Sequence, residues 1–156
     1  MPECVFCRIA AGAEPASVVH EDESDLVVMD LFPVSKGHAL VIPRRHAGGV
    51  NDLTPAEGAR LFDTARRVIR AQRAAAWGLS GIHLLLNDGR GANQQVPHVH
   101  IHLIPRYRGD AARALLRLLR HLTGRLGAPA DRAALDARAR ELAALLDVAG
   151  EAAPGG

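Results

Sequence analysis

Short apolar runs separated by turn-forming residues fill the first two thirds of the chain, and they predict β-strands. Four runs stand out, at residues 27–29, 39–42, 82–86 and 98–104, with breaks at Pro43, at Gly48-Gly49 and over residues 88–93. Brief runs of Val, Ile and Leu bounded by Gly, Pro or Asn are typical of strands joined by hairpin-length connections.

One long helix interrupts these strands. Thr54-Pro55-Ala56-Glu57 has the pattern of a capping box with Pro at the first helical position. Residues at helical spacing then follow, and Gly78 is placed to end the helix; the spaced residues are Leu61, Phe62, Ala65, Ile69 and Gln72. The pattern predicts an α+β fold, an antiparallel sheet of about five strands with this helix packed on one face.

From Asp110 onward the sequence turns to Ala, Leu and Arg, and it predicts a C-terminal helical extension over residues 109–149. The first helix carries Leu115, Leu119, Leu122 and Leu126 on one face. The second runs from Asp131 to about Val148 and carries Leu135, Ala139, Leu142 and Leu146. We expect an amphipathic hairpin that covers the core or a dimer surface, followed by a disordered tail at residues 150–156.

The composition limits location and partners. A chain of 156 residues has room for one domain with a core, and its net charge of +2 is too small to indicate binding to nucleic acid or a membrane. No apolar run approaches the roughly 20 residues of a membrane span, and the N-terminus lacks the features of a signal peptide. Two cysteines without an export signal predict a cytoplasmic protein whose thiols are metal ligands or redox groups.

Three histidines alternate with apolar residues in His98-Val99-His100-Ile101-His102. Successive side chains of a strand point to opposite faces, so we expect three imidazoles side by side on one open face. Two interpretations follow. Either the three rings bind one metal ion, or one ring is a nucleophile while its neighbours act as metal ligand and proton donor.

Two further segments carry candidate chemistry. Cys4-Val5-Phe6-Cys7 supplies half of a tetrahedral zinc site, and His46 and one triad histidine are candidates for the other half. A redox role for the cysteines would require a helix N-terminus within a βαβ unit, which the pattern does not predict. The loop at residues 87–95 combines glycines with side-chain amides, which suits a phosphate but is also typical of a plain hairpin connection.

These segments together resemble the histidine-triad (HIT) family, in its zinc-containing bacterial branch. The run from His98 to Ile104 fits the family's alternation of histidine and apolar residues, with Pro105-Arg106 following it. The C-x-x-C pair, Asp30 and the stretch 37–46 match in order and spacing. The resemblance implies a HIT domain at residues 1–108 and leaves the extension without a counterpart.

The resemblance also implies a homodimer, a purine nucleotide substrate and the role of each site residue. His100 matches the nucleophile that attacks the α-phosphorus, and His102 matches the group near the leaving group. Structural zinc is implied at Cys4, Cys7, His46 and His98, and the chemistry requires no Mg²⁺. The implied nucleotide contacts are Asp30 at the ribose, His38, Asn87, Gln94 and Gln95 at the phosphate, and Phe6, Ile9, Val28 and Leu31 at the base. Gln95 departs from the family, which often has Ser or Thr there.

The expected activity is hydrolysis of a nucleoside phosphoramidate or a dinucleoside polyphosphate to a nucleoside monophosphate such as AMP, through a nucleotidyl-histidine. The alternative is a purine-nucleotide-binding regulatory or interaction module with weak hydrolysis. DNA deadenylation would require a strongly basic or zinc-finger extension, and the arginines of the C-terminal helices fall short of that.

Overall fold

The computed structural model describes residues 4–123 and 128–151. A five-stranded sheet forms its centre, and every pair of neighbouring strands is antiparallel. The order across the sheet is β1-β2-β3-β5-β4, with β1 at Val18–Glu21, β2 at Asp25–Met29, β3 at Ala39–Pro43, β4 at Leu79–Leu86 and β5 at Ile101–Tyr107. The predicted α+β fold is confirmed. The pattern missed β1, because this strand has four residues and polar side chains at two of them.

In the part of the chain that the structure describes, four α-helices surround the sheet: α1 at Val5–Ala10, α2 at Pro55–Ala74, α3 at Ala111–Leu122 and α4 at Arg132–Glu151. The predicted capping box of α2 is present, since the Thr54 hydroxyl accepts the Glu57 N–H at 3.2 Å and the Glu57 carboxylate accepts the Thr54 N–H at 2.7 Å. The predicted end at Gly78 is wrong. The helix ends at Ala74, because Ala75 turns extended and directs Trp77 toward Glu141, whose carboxylate accepts the indole N–H at 2.7 Å.

The main core lies between the sheet and helices α2 and α4. All four residues predicted to face inward on α4 are buried there, and they are Leu135, Ala139, Leu142 and Leu146. On α2 the buried stripe follows Leu61, Ala65 and Val68, while Phe62 is 58% exposed. Phe62 belongs to the predicted helical repeat, but it lies one position beyond the centre of the stripe and turns away from the sheet.

The predicted C-terminal hairpin is also wrong, because α3 and α4 lie on opposite faces of the sheet. In α3, Ala114 packs against Val34 and Ile104, while Leu115 and Leu119 are 58% and 48% exposed. The side chain of Leu122, and all of Leu126, lie outside the described residues. Gly150 and Glu151 of the predicted tail belong to α4, and residues 152–156 lie outside the description.

Among the described helices, none combines the length and the apolar character needed to cross a membrane.

Gly37 fixes the turn that leads into β3. Its φ is +82°, a Cβ placed there would overlap the ring of Trp77, and its carbonyl accepts the buried Gln72 amide at 2.9 Å. Positive φ favours glycine, and the rigid indole leaves no space for a methyl group.

We predict that Gly37→Ala lowers the free energy of unfolding by about 2–4 kcal/mol, measured by urea denaturation. Gly81→Ala is the matched control, since a Cβ at Gly81 meets open space. Equal stabilities for the two variants would contradict this account of the turn.

Candidate active site

A cavity of about 330 Å³ opens on the face of the sheet opposite α2 and α4. Its floor is a row of residues that lie directly opposite one another on neighbouring strands, namely Val28, Leu40, His102 and Leu85. Helix α1 and the loop that joins β4 to β5 form walls, and Leu118 of α3 closes one side. The antiparallel register therefore places one triad histidine in the middle of an otherwise apolar floor.

The cavity brings together nearly all of the residues that we expected to contact a nucleotide. They are Phe6, Ile9, Val28, Asp30, Leu31, His38, Asn87, Gln95, His100 and His102. Gln94 is the exception, because it does not line the cavity. Its side-chain amide accepts the Gly89 N–H at 2.7 Å and donates to the Gly48 carbonyl at 2.8 Å, so it ties the loop to the stretch after β3.

The triad differs from three equivalent rings on an open strand. Strand β5 begins at Ile101, because the chain before it leaves the ladder and the Val99 N–H donates to the Ala47 carbonyl at 2.7 Å. The apolar residues still face the core, but His98 and His100 are 0% and 5% exposed. Helix α1 covers them, with the Phe6 ring edge-on to both.

A cluster of two thiols and two imidazoles lies where α1 meets the sheet. The Sγ of Cys4 is 3.3 Å from Nδ1 of His98, and the Sγ of Cys7 is 3.3 Å from Nδ1 of His46. All four ligand atoms lie within 4.8 Å of one another. Burial, with a further effect of Cys4, raises the pKa of the Cys7 thiol, and a bound cation would favour its thiolate form. This donor set fits tetrahedral zinc.

The other interpretations of these residues are less compatible with the geometry. A redox role for the cysteines would require a βαβ unit. The sequence pattern did not predict the helix that begins after Cys4, but this helix has only six residues and the sheet that follows it is antiparallel, so the described fold contains no βαβ unit around the cysteines. The triad rings do not converge on one point. Nδ1 of His98 faces the thiols, whereas Nδ1 of His100 faces the His98 carbonyl and Nδ1 of His102 faces His38.

Hydrogen bonds fix which nitrogen of His98 and of His100 carries the proton. The Nε2–H of His98 donates to the Pro43 carbonyl at 2.8 Å, which leaves Nδ1 unprotonated and able to bind a metal. The Nδ1–H of His100 donates to the His98 carbonyl at 2.8 Å. Neutral His100 therefore presents an unprotonated Nε2. Burial lowers the pKa of His100, so the ring is neutral near pH 7 and chemically suited to act as a nucleophile.

A second group, of Asp30, His38 and His102, contains ligand types that could bind a metal ion, but the imidazole nitrogen of His38 that faces the group carries a proton. The Val34 N–H donates to Nδ1 of His38 at 3.1 Å, so neutral His38 carries its proton on Nε2 and cannot bind a metal there. That Nε2–H has Nδ1 of His102 at 3.0 Å and Oδ2 of Asp30 at 3.4 Å. Donation to the nearer acceptor leaves the proton of neutral His102 on its own Nε2.

Comparison with known proteins agrees with this geometry. The family model described as "HIT domain" matches residues 11–109. An uncharacterized HIT-like protein of Mycobacterium tuberculosis is 41% identical over 107 residues, which is 69% of this chain and 74% of the relative. The adenosine 5'-monophosphoramidase of Schizosaccharomyces pombe is 38% identical over 103 residues, 66% of this chain and 74% of that protein.

A solved structure described as a zinc-bound histidine triad family protein from Mycobacterium smegmatis superposes with a TM-score of 0.79 at 32% identity. The superposition covers 97% of this chain and 99% of that one, so the C-terminal extension has a structural counterpart there. The matched domain, the identity to relatives and the shared fold lead to one conclusion. The chain belongs to the histidine-triad (HIT) family.

Proposed function

We propose that the protein hydrolyses nucleoside phosphoramidates or dinucleoside polyphosphates to a nucleoside monophosphate, through a covalent intermediate on His100. The observation that carries the proposal is the His100 ring, which faces the cavity and holds its proton on Nδ1, so that Nε2 has a free lone pair. The relative named as an adenosine 5'-monophosphoramidase supports adenosine as the base and a P–N bond as one substrate class.

In the first step, Nε2 of His100 attacks the α-phosphorus and the bond to the leaving group breaks. The electron pair of the broken bond leaves with the departing atom. In a phosphoramidate whose nitrogen is already protonated when it binds, the leaving group departs as a neutral amine. The Nε2–H of His102 donates a hydrogen bond that stabilises the negative charge that gathers on the phosphate or the leaving group. Splitting one displacement into two lowers the barrier of each.

In the second step, water attacks the same phosphorus and the bond to Nε2 breaks. His100 keeps its Nδ1 proton throughout, because the His98 carbonyl holds it. The surplus proton of the water passes to the released amine or, when the substrate is a dinucleoside polyphosphate, to the released nucleotide phosphate. Asp30, 7% exposed, has its carboxylate 3.8 Å from Nδ1 of His102 and is the expected acceptor for ribose hydroxyls. The amides of Asn87 and Gln95 line the phosphate end, and the bulkier Gln95 is expected to alter leaving-group preference.

Intact-mass spectrometry after rapid mixing with adenosine 5'-phosphoramidate tests the proposal directly. We predict a transient nucleotidyl adduct in the native protein, and neither adduct nor turnover in His100→Asn, which removes the nucleophilic nitrogen. His83→Asn is the matched control, since His83 is an exposed histidine of β4. Turnover without an adduct on His100, or persistence of both in His100→Asn, would contradict the mechanism.

His38 is proposed to act through His102 as a positioning residue. We predict that His38→Phe lowers kcat at least tenfold with a smaller change in KM, because Nδ1 of His102 loses its donor and the ring is free to take the other tautomer. His38→Gln places an amide N–H near the same point and is expected to recover part of the rate. Equal rates in the native and Phe proteins would remove this role.

We further propose that Cys4, Cys7, His46 and His98 hold a structural zinc ion. When bound, the zinc would stabilise the junction between α1 and the sheet, and the residues of the reaction would remain those of the cavity. We predict one zinc per chain by elemental analysis. His46→Ala should lose the metal and several degrees of thermal stability, with a smaller loss in the rate of the folded protein. His83→Ala should keep its zinc, and equal metal content in both variants would exclude the assignment.

A second candidate function, a purine-nucleotide-binding interaction module, is favoured by the exposed Leu115, Leu116 and Leu119 of α3. Its hydrolysis would be incidental, so the turnover number from the rapid-mixing experiment distinguishes the two. Deleting residues 109–156 would not distinguish the two functions, because α4 supplies four core residues and its loss would expose the sheet.

A homodimer is part of both proposals. Strand β4 lies at an edge of the sheet with Leu84 43% exposed, and it offers a surface for the dimer.

A further inference from the structure

We propose that Arg132, the first residue of α4, donates hydrogen bonds to the acceptor edge of the purine base. The C-terminal extension would then form part of the nucleotide site and contribute to base selectivity. This inference rests on the proposed function, since it takes the cavity to be a nucleotide site with its phosphate at the histidines.

The sheet order places Arg132 at the end of the cavity far from the triad. Its guanidinium is 3.4 Å from the hydroxyl of Ser17, and the Ser17 carbonyl accepts the Met29 N–H at 2.9 Å beside β1. His102 lies on β5, three strands away from β1. Three spacings of about 4.8 Å separate the two ends by about 14 Å.

Asp30 lies between these two ends, directly after β2. A nucleotide with its phosphate at the triad and its ribose at Asp30 therefore extends its base toward the β1 edge. Ile9 and Leu31, which we expected at the base, line the same cavity as Glu14 and Arg132. The outer edge of the base is the part of the ligand that comes nearest to the guanidinium.

The bonding of Arg132 leaves most of its donors available to a ligand. The residue is half-buried and lines the cavity. Within the parts of the chain that the structure describes, its guanidinium has one hydrogen bond, to the Ser17 hydroxyl, and no ion pair. Ser17 donates its own proton to the Asp136 carboxylate, so it remains an acceptor for Arg132. A guanidinium has five N–H donors, and a neutral hydroxyl satisfies one of them.

Arg132 is held in place by the packing of the extension. The Ala130 N–H donates to the carbonyl of Leu31 at 2.8 Å, which joins the start of α4 to a residue that we expected to contact the base. One turn further, Leu135 is 5% exposed in the main core. The arginine is thus presented from a fixed helix terminus, which reduces the entropy that binding would otherwise cost.

The chemistry favours guanine over adenine at this position. Guanine presents two adjacent acceptors, N7 and O6, which match the paired donors of arginine, whereas adenine presents N7 beside an amino donor. The carboxylate of Glu14, ion-paired with Arg8, lines the same cavity and offers an acceptor for the N–H groups of guanine. Guanosine nucleotides should therefore depend on Arg132 more strongly than adenosine nucleotides do.

Isothermal titration of the full-length protein with GMP and with AMP tests this inference. We expect Arg132→Gln to raise the Kd for GMP about tenfold and the Kd for AMP less than threefold. Arg132→Lys keeps the charge but lacks the paired donors, so it should lose most of the GMP affinity as well. Arg140→Gln, an exposed arginine on the same helix, is the matched control and should change neither affinity. Thermal unfolding verifies that each variant is folded.

The outcomes distinguish failure of the Arg132 proposal from failure of the proposed hydrolase function. A selective loss of GMP affinity in both Arg132 variants supports the inference. Equal losses for GMP and AMP, unchanged affinities, or full GMP affinity in Arg132→Lys would overturn it while leaving the proposed hydrolase intact. Failure of the native protein to bind either nucleotide would overturn both.

Discussion

A buried imidazole must find a hydrogen-bond or metal partner for its ring nitrogens, and this constraint organises the whole site. His38, His98 and His100 are all at most 5% exposed, between the sheet and the segments that cover it. Each one meets a backbone group: His98 meets the Pro43 carbonyl, His100 meets the His98 carbonyl, and His38 meets the Val34 N–H. Backbone groups cannot change their donor or acceptor character, so they set the protonation of the side chains that would perform the chemistry.

The same constraint connects the Cys/His cluster to the reaction centre. His98 uses Nδ1 toward the thiols, Nε2 toward the backbone and its own carbonyl toward His100. A zinc ion bound there would fix the ring and, through the chain, the carbonyl that holds the His100 proton. The cluster would then support catalysis by holding position, without taking part in bond breaking. Helix α4 has a comparable role at the other end, where its packing fixes Arg132.

The sequence predicted those features that depend on local patterns. The cap at Thr54, the inward leucines of α4 and the strand alternation around Ile101 each follow from residues close together in the chain. Features that depend on tertiary contacts were missed or misplaced. The triad was expected on an open face, but Phe6 of α1 covers His98 and His100. Strand β5 starts late because the Val99 N–H bonds to the Ala47 carbonyl, and α3 packs on the face of the sheet opposite α4. Arg132 carried no signal, since an arginine after an Asp resembles an ordinary helix start.

The central claim is that backbone groups, directly or through His38, assign one proton to each histidine of the cavity, and two-bond ¹H–¹⁵N NMR of ¹⁵N-labelled protein measures this directly. The account predicts that at neutral pH His100 is protonated on Nδ1, while His38 and His102 are protonated on Nε2, in the zinc-bound protein without nucleotide. His100 protonated on Nε2, or His102 protonated on Nδ1, would contradict it, because the nucleophilic lone pair or the donor to the leaving group would then be missing.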